Sequence, residues 1–237
     1  MPKRNYLWLF AVLAAVGLTA DLWSKYAVFG WLYNNNAHST SGPVESWSDL
    51  PRWSGGGEQY LPGGRHDVWT GWFGLIAEYR REDVPADVLQ GLRSVSAPVM
   101  PRVNQGALFG MGGEYGGSAN KVYAVVSFLA SVGIIVWAVY RGKRADAWVI
   151  VALGLILGGT LGNCFDRVVF NGVRDFLYFY VIDWPVFNIA DCCLVCGAVM
   201  LILHAVLVSP PKPAVVIETA SSIVIEAPST IIPTSGS

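Results

Sequence analysis

Apolar residues fall in four long blocks, separated by segments rich in polar residues, glycine and proline. A helix needs roughly 20 mostly apolar residues to cross a bilayer. Two uncharged runs of 19 residues each are Val122–Tyr140 and Ala147–Phe165. A third, Cys192–Val208, reaches full length with Phe187–Asp191 ahead of it, and a fourth begins at Asn5–Ala20 and continues as DLWSKYAVFGWLY. The pattern predicts an all-α membrane protein with four transmembrane helices.

The long segment between the first two helices has a different pattern. Asn34–Gly64 is rich in Asn, Ser, Gly and Pro and is predicted to be an irregular loop. Trp69–Glu82 places apolar residues at helical spacing, which predicts a short amphipathic helix, either at the membrane surface or packed on the protein's own outer domain. Val103–Phe109 is typical of a strand and turn, and the glycine-rich stretch Gly110–Gly117 is a candidate lid.

Composition agrees with a membrane protein. Of the 237 residues, 53% are hydrophobic and only 14% are charged, whereas soluble domains have about 25% charged residues. The net charge of −1 and the absence of a basic stripe exclude an electrostatic case for a nucleic-acid partner.

The distribution of Lys and Arg predicts the orientation. Basic residues flank the first helix, fill the short turn between the second and third, and follow the fourth, so both termini are expected to be cytoplasmic; they are Lys3, Arg4, Arg141, Lys143, Arg144 and Lys212. We predict one four-helix domain over residues 1–208, with residues 34–118 as an extracytoplasmic insertion. Residues 209–237 are predicted to be a disordered cytoplasmic tail.

The candidate chemistry lies in the polar segment between Gly158 and Asp191. Ionisable groups beside transmembrane helices are costly and usually face a protein interior or a watery cavity. Asp175 follows the third helix and Asp191 begins the fourth, so both are expected at one membrane face. Two carboxylates in a low-dielectric site share a proton, and such a pair can hydrolyse a peptide bond as general base and general acid. The alternative is two solvated loop acids paired with Arg167 and Arg174.

Other reactive residues carry weaker signals. The histidines are scattered, so no Ser–His–Asp or Cys–His set is credible. Cys193 and Cys196 have the spacing of a redox or metal pair, but no further ligands accompany them, and they are interpreted as packing residues.

Two patterns concern helix packing. Asp21 and Lys25 lie four residues apart on one helical face and are predicted to form an ion pair. A row of small residues in the third helix, Gly154, Gly158 and Gly162, is predicted to let another helix approach closely.

Four blocks of residues carry a resemblance to a known family. They are DLWSK at Asp21–Lys25, NQGALFG at Asn104–Gly110, GGTLGNCFDRVVFNGVRDF at Gly158–Phe176 and FNIAD at Phe187–Asp191. In order and position they resemble the lipoprotein signal peptidases (signal peptidase II), a family of four-helix intramembrane aspartyl proteases. The resemblance implies an endopeptidase that removes signal peptides from diacylglyceryl-modified prolipoproteins, cutting N-terminal to the lipidated cysteine.

The resemblance also implies site residues and partners. Asp175 and Asp191 match the catalytic pair, and a further set matches the supporting positions. We expect no metal or organic cofactor, and as partners only a lipid-modified prolipoprotein and membrane lipid, with the protein a monomer in the bacterial inner membrane. The active site is expected at the outer leaflet, beside a small β-containing extracytoplasmic subdomain between helices 1 and 2. The supporting residues are Asp21, Lys25, Asn104, Gly106, Asn163, Asp166, Arg167 and Asn188.

Two departures and two rival classes remain. The segment Asn34–Val99 is longer than the family usually carries, and Leu108 replaces a smaller residue. A proton- or ion-coupled small membrane transporter could also use paired carboxylates, but the chain has no internal repeat and its acids gather at one face. A scaffold with structural ion pairs is the third possibility.

Overall fold

The four predicted transmembrane helices are present. The computed structural model describes residues 6–36, 60–106 and 117–207. Within these ranges, four helices are long and apolar enough to cross a membrane, which confirms the predicted fold class. They are α1 (Leu7–Asn36), α3 (Gly117–Arg141), α4 (Ala147–Phe170) and α5 (Ile189–Leu207), and a short helix α2 (Gln90–Arg93) lies between the first two.

Helix α4 is the centre of the bundle. It packs against α1, α3 and α5, and its buried side chains include Ile150, Ala152 and Leu157. By contrast, most apolar side chains of α3 and α5 are exposed, as expected for helix faces that contact lipid. The polar segment with the candidate chemistry therefore begins on the helix that the other three membrane-spanning helices contact.

The glycine row of α4 packs against α1, as predicted. A Cβ added at Gly158 would lie 2.8 Å from the carbonyl oxygen of Ala14, and one at Gly154 would lie 3.0 Å from that of Phe10. One turn further on, Gly162 faces the side chain of Asp21. The small residues thus let the two backbones touch, and they bring the polar end of α1 against the polar end of α4.

A small antiparallel sheet lies at one end of the bundle. Its strand order is β1-β2-β3, and a fourth strand also pairs with β2. The first three strands come from the segment between α1 and α3, which confirms the predicted β-containing subdomain. The strands are β1 (Tyr60–Trp69), β2 (Phe73–Asp83), β3 (Val99–Pro101) and β4 (Leu177–Tyr178).

The predicted amphipathic helix over Trp69–Glu82 is wrong. This segment forms the end of β1, a turn and β2, and Gly71 in the turn has φ +86°. The buried side chains Ile76 and Tyr79 are three residues apart, a spacing that also fits a helix. The segment is a strand because β2 pairs with the adjacent β1 in a hairpin and with β3 and the sequence-distant β4.

Other predictions lie partly outside the described residues. Asn34–Asn36 extends α1 and Tyr60–Gly64 begins β1, so the predicted loop is shortened at both ends. In the predicted strand Val103–Phe109, Asn104 forms an isolated bridge with Val173. The remainder of both segments, almost all of the candidate lid and the predicted tail lie outside the described residues.

Candidate active site

The connection between α4 and α5 begins with a fixed helix end. Asn171 follows α4 in the left-handed conformation, with φ 59°, which short polar residues tolerate at helix ends. The side chain of Asn120, at the start of α3, donates to Asn171 Oδ1 at 2.9 Å and to the carbonyl oxygen of Arg167 at 3.1 Å. Asn120 is a supporting residue that the sequence does not indicate, because a lone asparagine has no distinguishing signal.

A buried ion pair then fixes the chain next to Asp175. The Arg174 guanidinium binds both oxygens of Asp166, with Nη2 2.8 Å from Oδ1. The backbone N–H of Arg174 also donates to Asp166 Oδ2 at 2.9 Å. The guanidinium also lies 3.9 Å from the centroid of the Phe170 ring and 4.2 Å from that of Tyr26. Since Arg174 and Asp166 are almost fully buried, this arrangement fixes the backbone one residue before Asp175.

Asp175 is half-buried and is held by two side-chain amides. Asn104 Nδ2 donates to Oδ2 at 3.0 Å, and Asn188 Nδ2 donates to Oδ1 at 2.7 Å. The backbone of Asn104 pairs with that of Val173 through two hydrogen bonds of 2.8 Å, and its Oδ1 accepts from the N–H of Gly106. The segment containing NQG is thereby attached to the α4–α5 connection.

Asp191 lies in the first turn of α5, within a reciprocal helix cap. Its backbone N–H donates to Asn188 Oδ1 at 3.0 Å, and its Oδ2 accepts from the N–H of Asn188 at 3.2 Å. This is the geometry of a capping box, formed here by Asn and Asp. Its Oδ1 accepts from Asn163 Nδ2 at 2.9 Å, and the positive end of the helix dipole favours a charge at this position.

Asn188 connects the two carboxylates. Its Nδ2 donates to Asp175 and also to Asn163 Oδ1 at 3.2 Å, while its backbone and Oδ1 hold Asp191. The side chain is fully buried, so its amide orientation is set by these partners. Asp175 and Asp191 are thus both hydrogen-bonded to the same residue.

Behind Asn163 lies a second buried charge cluster. Lys25 Nζ is 2.7 Å from Asp21 Oδ2, 3.3 Å from Asp166 Oδ2 and 3.3 Å from Asn163 Oδ1, and the Lys25, Asp21 and Asp166 side chains are all inaccessible. The predicted Asp21–Lys25 ion pair is confirmed. It lies inside the protein, where Asp21 Oδ1 also accepts the N–H of Ala190 at 2.9 Å. Helix α1 therefore caps α5 beside the two carboxylates.

The alternative hypothesis pairs Asp175 and Asp191 with Arg167 and Arg174, but the hydrogen bonds of these two arginines go to other groups. Arg174 pairs with Asp166. Arg167 Nη2 donates to the carbonyl oxygen of Gly106 at 3.3 Å, Nη1 donates to that of Asn163 at 3.4 Å, and the guanidinium lies 5.7 Å from the Tyr123 ring centroid. All ten residues singled out from the sequence thus lie in one connected network.

The electrostatic environment favours a proton on Asp175. The pKa of this carboxyl is raised to about 7, chiefly by burial and also by the negative charge of Asp191. The hydrogen bonds from Asn104 and Asn188 act in the opposite direction. Within residues 6–36, 60–106 and 117–207, no group of three or more His, Cys, Asp or Glu side chains is placed to hold a metal ion.

The four membrane-spanning helices and the buried network of two carboxylates define the class of the protein as a membrane enzyme. Comparisons with known proteins identify its family. The family model described as signal peptidase (SPase) II matches residues 90–207. The lipoprotein signal peptidase of Rhodopirellula baltica is 32% identical over 220 residues, covering 86% of this chain and 74% of that protein. That of Coxiella burnetii is 37% identical over 112 residues, covering 46% and 68%. The chain belongs to the signal peptidase II family of peptidases.

A solved structure shares the fold. The protein described as a bacterial membrane enzyme, solved by the in meso method at 2.3 Å, aligns with a TM-score of 0.54 and 18% identity over 90% of this chain and 98% of its own. These matches confirm the resemblance noted in the sequence and give no support to the transporter alternative.

Proposed function

We propose that this protein is an aspartic endopeptidase that cleaves diacylglyceryl-modified prolipoproteins N-terminal to the lipidated cysteine, with Asp175 and Asp191 as the catalytic pair. The observation that carries the assignment is that Asn188 donates to both carboxylates, through its Nδ2 to Asp175 and through its backbone N–H to Asp191. One buried residue sets the geometry of both acids, and proton sharing requires such a fixed arrangement.

The two acids take complementary roles. Asp191 supplies the carboxylate, because it lies in the first turn of α5, at the positive end of the helix dipole, and accepts hydrogen bonds from Asn163 and from the Asn188 N–H. Asp175 carries the proton near neutral pH, since its pKa is about 7.

Hydrolysis then proceeds with balanced proton transfers. Asp191 takes a proton from water as the water oxygen attacks the scissile carbonyl carbon, and Asp175 gives its proton to the carbonyl oxygen. The tetrahedral diol collapses when Asp191 passes its proton to the leaving nitrogen. The C–N bond breaks and Asp175 recovers a proton from the hydroxyl group.

The remaining polar residues position this pair. Asn104 and Asn188 orient Asp175, and Asn163 orients Asp191. Lys25 holds the Asn163 oxygen and so turns its amide hydrogens towards Asp191. The rest of the supporting set, Asp21, Gly106, Asp166 and Arg167, fixes the elements that carry these side chains.

We further propose that the protein is a monomer in the bacterial inner membrane, with residues 1–208 as its catalytic domain and both termini cytoplasmic. This orientation follows from the Lys and Arg distribution. It puts the sheet and the start of α5 at the outer leaflet, where a lipid-anchored substrate would present its scissile bond.

The activity is tested with purified protein in micelles and a synthetic prolipoprotein, with mass spectrometry of the products. We expect one cut that leaves the diacylglyceryl cysteine at the new N-terminus, and no cut in the matched unlipidated peptide. Equal cleavage of both peptides, a cut elsewhere, or ion flux in liposomes without any cleavage would contradict the proposal.

A further inference from the structure

Apolar side chains form an exposed surface on the outer sheet that the catalytic site does not use. It consists of Trp69 and Trp72 at the turn between β1 and β2, and of Phe179, Val181 and Ile182 after β4; we call it the aromatic tip. Trp69 is 67% exposed, Trp72 is 52% exposed and Ile182 is 66% exposed. Contiguous exposed apolar surfaces mark interaction sites.

Hydrogen bonds and ring contacts join the two parts of the aromatic tip. The Tyr180 hydroxyl donates to the carbonyl oxygen of Trp69 at 3.0 Å and accepts from the N–H of Gly71 at 2.9 Å. The rings of Phe73 and Phe179 have centroids 4.7 Å apart, and those of Trp69 and Trp72 stack at 5.5 Å. The hairpin turn and the α4–α5 connection therefore present one surface.

The aromatic tip is continuous with the membrane-spanning part of the protein. The Phe179 ring stacks on Phe187, with centroids 5.8 Å apart and planes 16° apart, and Phe187 lies two residues before the start of α5. Helix α5 has 19 residues, which gives a length of about 28 Å, close to the thickness of the hydrocarbon core. Its first residue, Ile189, therefore begins a membrane-spanning segment, and the ring contacts lead from the start of this segment to the aromatic tip.

The charges around the surface suit a bilayer interface. Arg65 at the edge is paired with Asp67 at 3.0 Å, and its guanidinium lies 4.4 Å from the centroid of the Tyr180 ring. Asp183, on the loop, accepts a hydrogen bond from the Tyr178 hydroxyl group. Trp and Tyr rings with an apolar body and a polar edge are enriched at the headgroup level of membranes.

We propose that the aromatic tip inserts into the outer-leaflet interface and anchors the sheet on the bilayer, in the absence of substrate. The occupant is the lipid surface, because the aromatic tip continues from the boundary of α5 and is built from interfacial residue types. The anchor holds the extramembrane sheet at a fixed height above the bilayer. This inference depends on the membrane-spanning helices and not on the identity of the catalytic residues.

Tryptophan quenching by brominated lipid tests the inference in the full-length protein. The emission of the variant Trp69→Phe/Trp72→Phe is subtracted from that of the wild type, which isolates the light from these two residues, while phenylalanine keeps the surface apolar. The protein is reconstituted without substrate in phosphatidylcholine vesicles with bromine near the top of the acyl chains. The matched control is Trp23→Phe, which removes a tryptophan 72% exposed on α1 within a span.

The expected result is that bromine lowers the isolated emission of Trp69 and Trp72, because side chains that insert about 5–10 Å into the interface reach the top of the acyl chains, where the bromine atoms lie. The Trp23 signal should also fall, which verifies reconstitution. Isolated emission that bromine leaves unchanged and that aqueous iodide quenches would overturn the proposal. Quenching that appears only after lipidated substrate is added would also overturn it, because the surface would then bind substrate.

Discussion

Replacing Asn188 separates the two tasks that this residue performs. Its Oδ1 caps α5 through the N–H of Asp191, and its Nδ2 donates to Asp175 at 2.7 Å. Serine at this position can still cap the helix, because Ser and Asn are similarly good N-caps, but it has no second donor for Asp175. Asn188→Ala loses both functions.

The magnitudes follow from these contacts. Since Asp175 carries the proton near neutral pH, the lost hydrogen bond joins two neutral groups. Such a bond contributes about 0.5–1.5 kcal/mol, so kcat/KM should fall about 2- to 13-fold in both variants. Loss of the cap costs about 1 kcal/mol more in Asn188→Ala, or about 2–4 °C in Tm for a chain of this size. Asn188→Ser should keep most of that stability.

The assay combines thermal unfolding in micelles with cleavage of a lipidated fluorogenic peptide over a range of concentrations. The expected pattern is similar loss of activity in Asn188→Ser and Asn188→Ala, with a lower Tm in the alanine variant. Wild-type kcat/KM in Asn188→Ser would refute the argument that this amide positions Asp175.

Two further predictions test the electrostatics and the packing. If Asp175 carries the shared proton, kcat/KM falls as pH rises through about 7. The hydrogen bond from Asn104 lowers the pKa of Asp175, so its loss in Asn104→Ala should raise that pKa and move the fall in activity to higher pH. A pH–rate profile that is unchanged in this variant would contradict the assignment. Gly158→Ala should lower Tm, since the added Cβ would lie 2.8 Å from the carbonyl oxygen of Ala14. The control Gly133→Ala should leave Tm unchanged, because a Cβ at that position has no neighbouring atom within 4 Å. Equal Tm values for the two variants would disprove the packing argument.

The helices could be predicted from the sequence because their signal is local. Four apolar blocks of membrane-spanning length are visible without knowledge of partners, and the glycines of α4 indicate close packing before the identity of the neighbouring helix is known. The Asp21–Lys25 pair was visible because both residues lie on one helix, whereas its contact with Asp166 depends on how α1 meets α4.

The residue pattern alone did not predict the strands over Trp69–Glu82, and part of their pairing is non-local. Strand β2 pairs with β4, which lies about a hundred residues later, through Gly74 with Tyr178 and Leu75 with Leu177. Without those partners, the spacing of Ile76 and Tyr79 fits a helix as well as a strand. Likewise, no spacing rule indicates that Asn188 joins Asp175 to Asp191, since that contact depends on the path of the whole α4–α5 connection.

The central claim is tested most directly by the cleavage rate of the two isosteric variants, Asp175→Asn and Asp191→Asn. Each should lose activity on the order of 10³-fold, because neither can complete the proton transfers of the pair. The matched control is Asp183→Asn on the same connection, where asparagine tolerates the left-handed φ of 47° and can accept from Tyr178. Its cleavage rate should match the wild type, and ordinary activity in folded Asp175→Asn or Asp191→Asn protein would contradict the account.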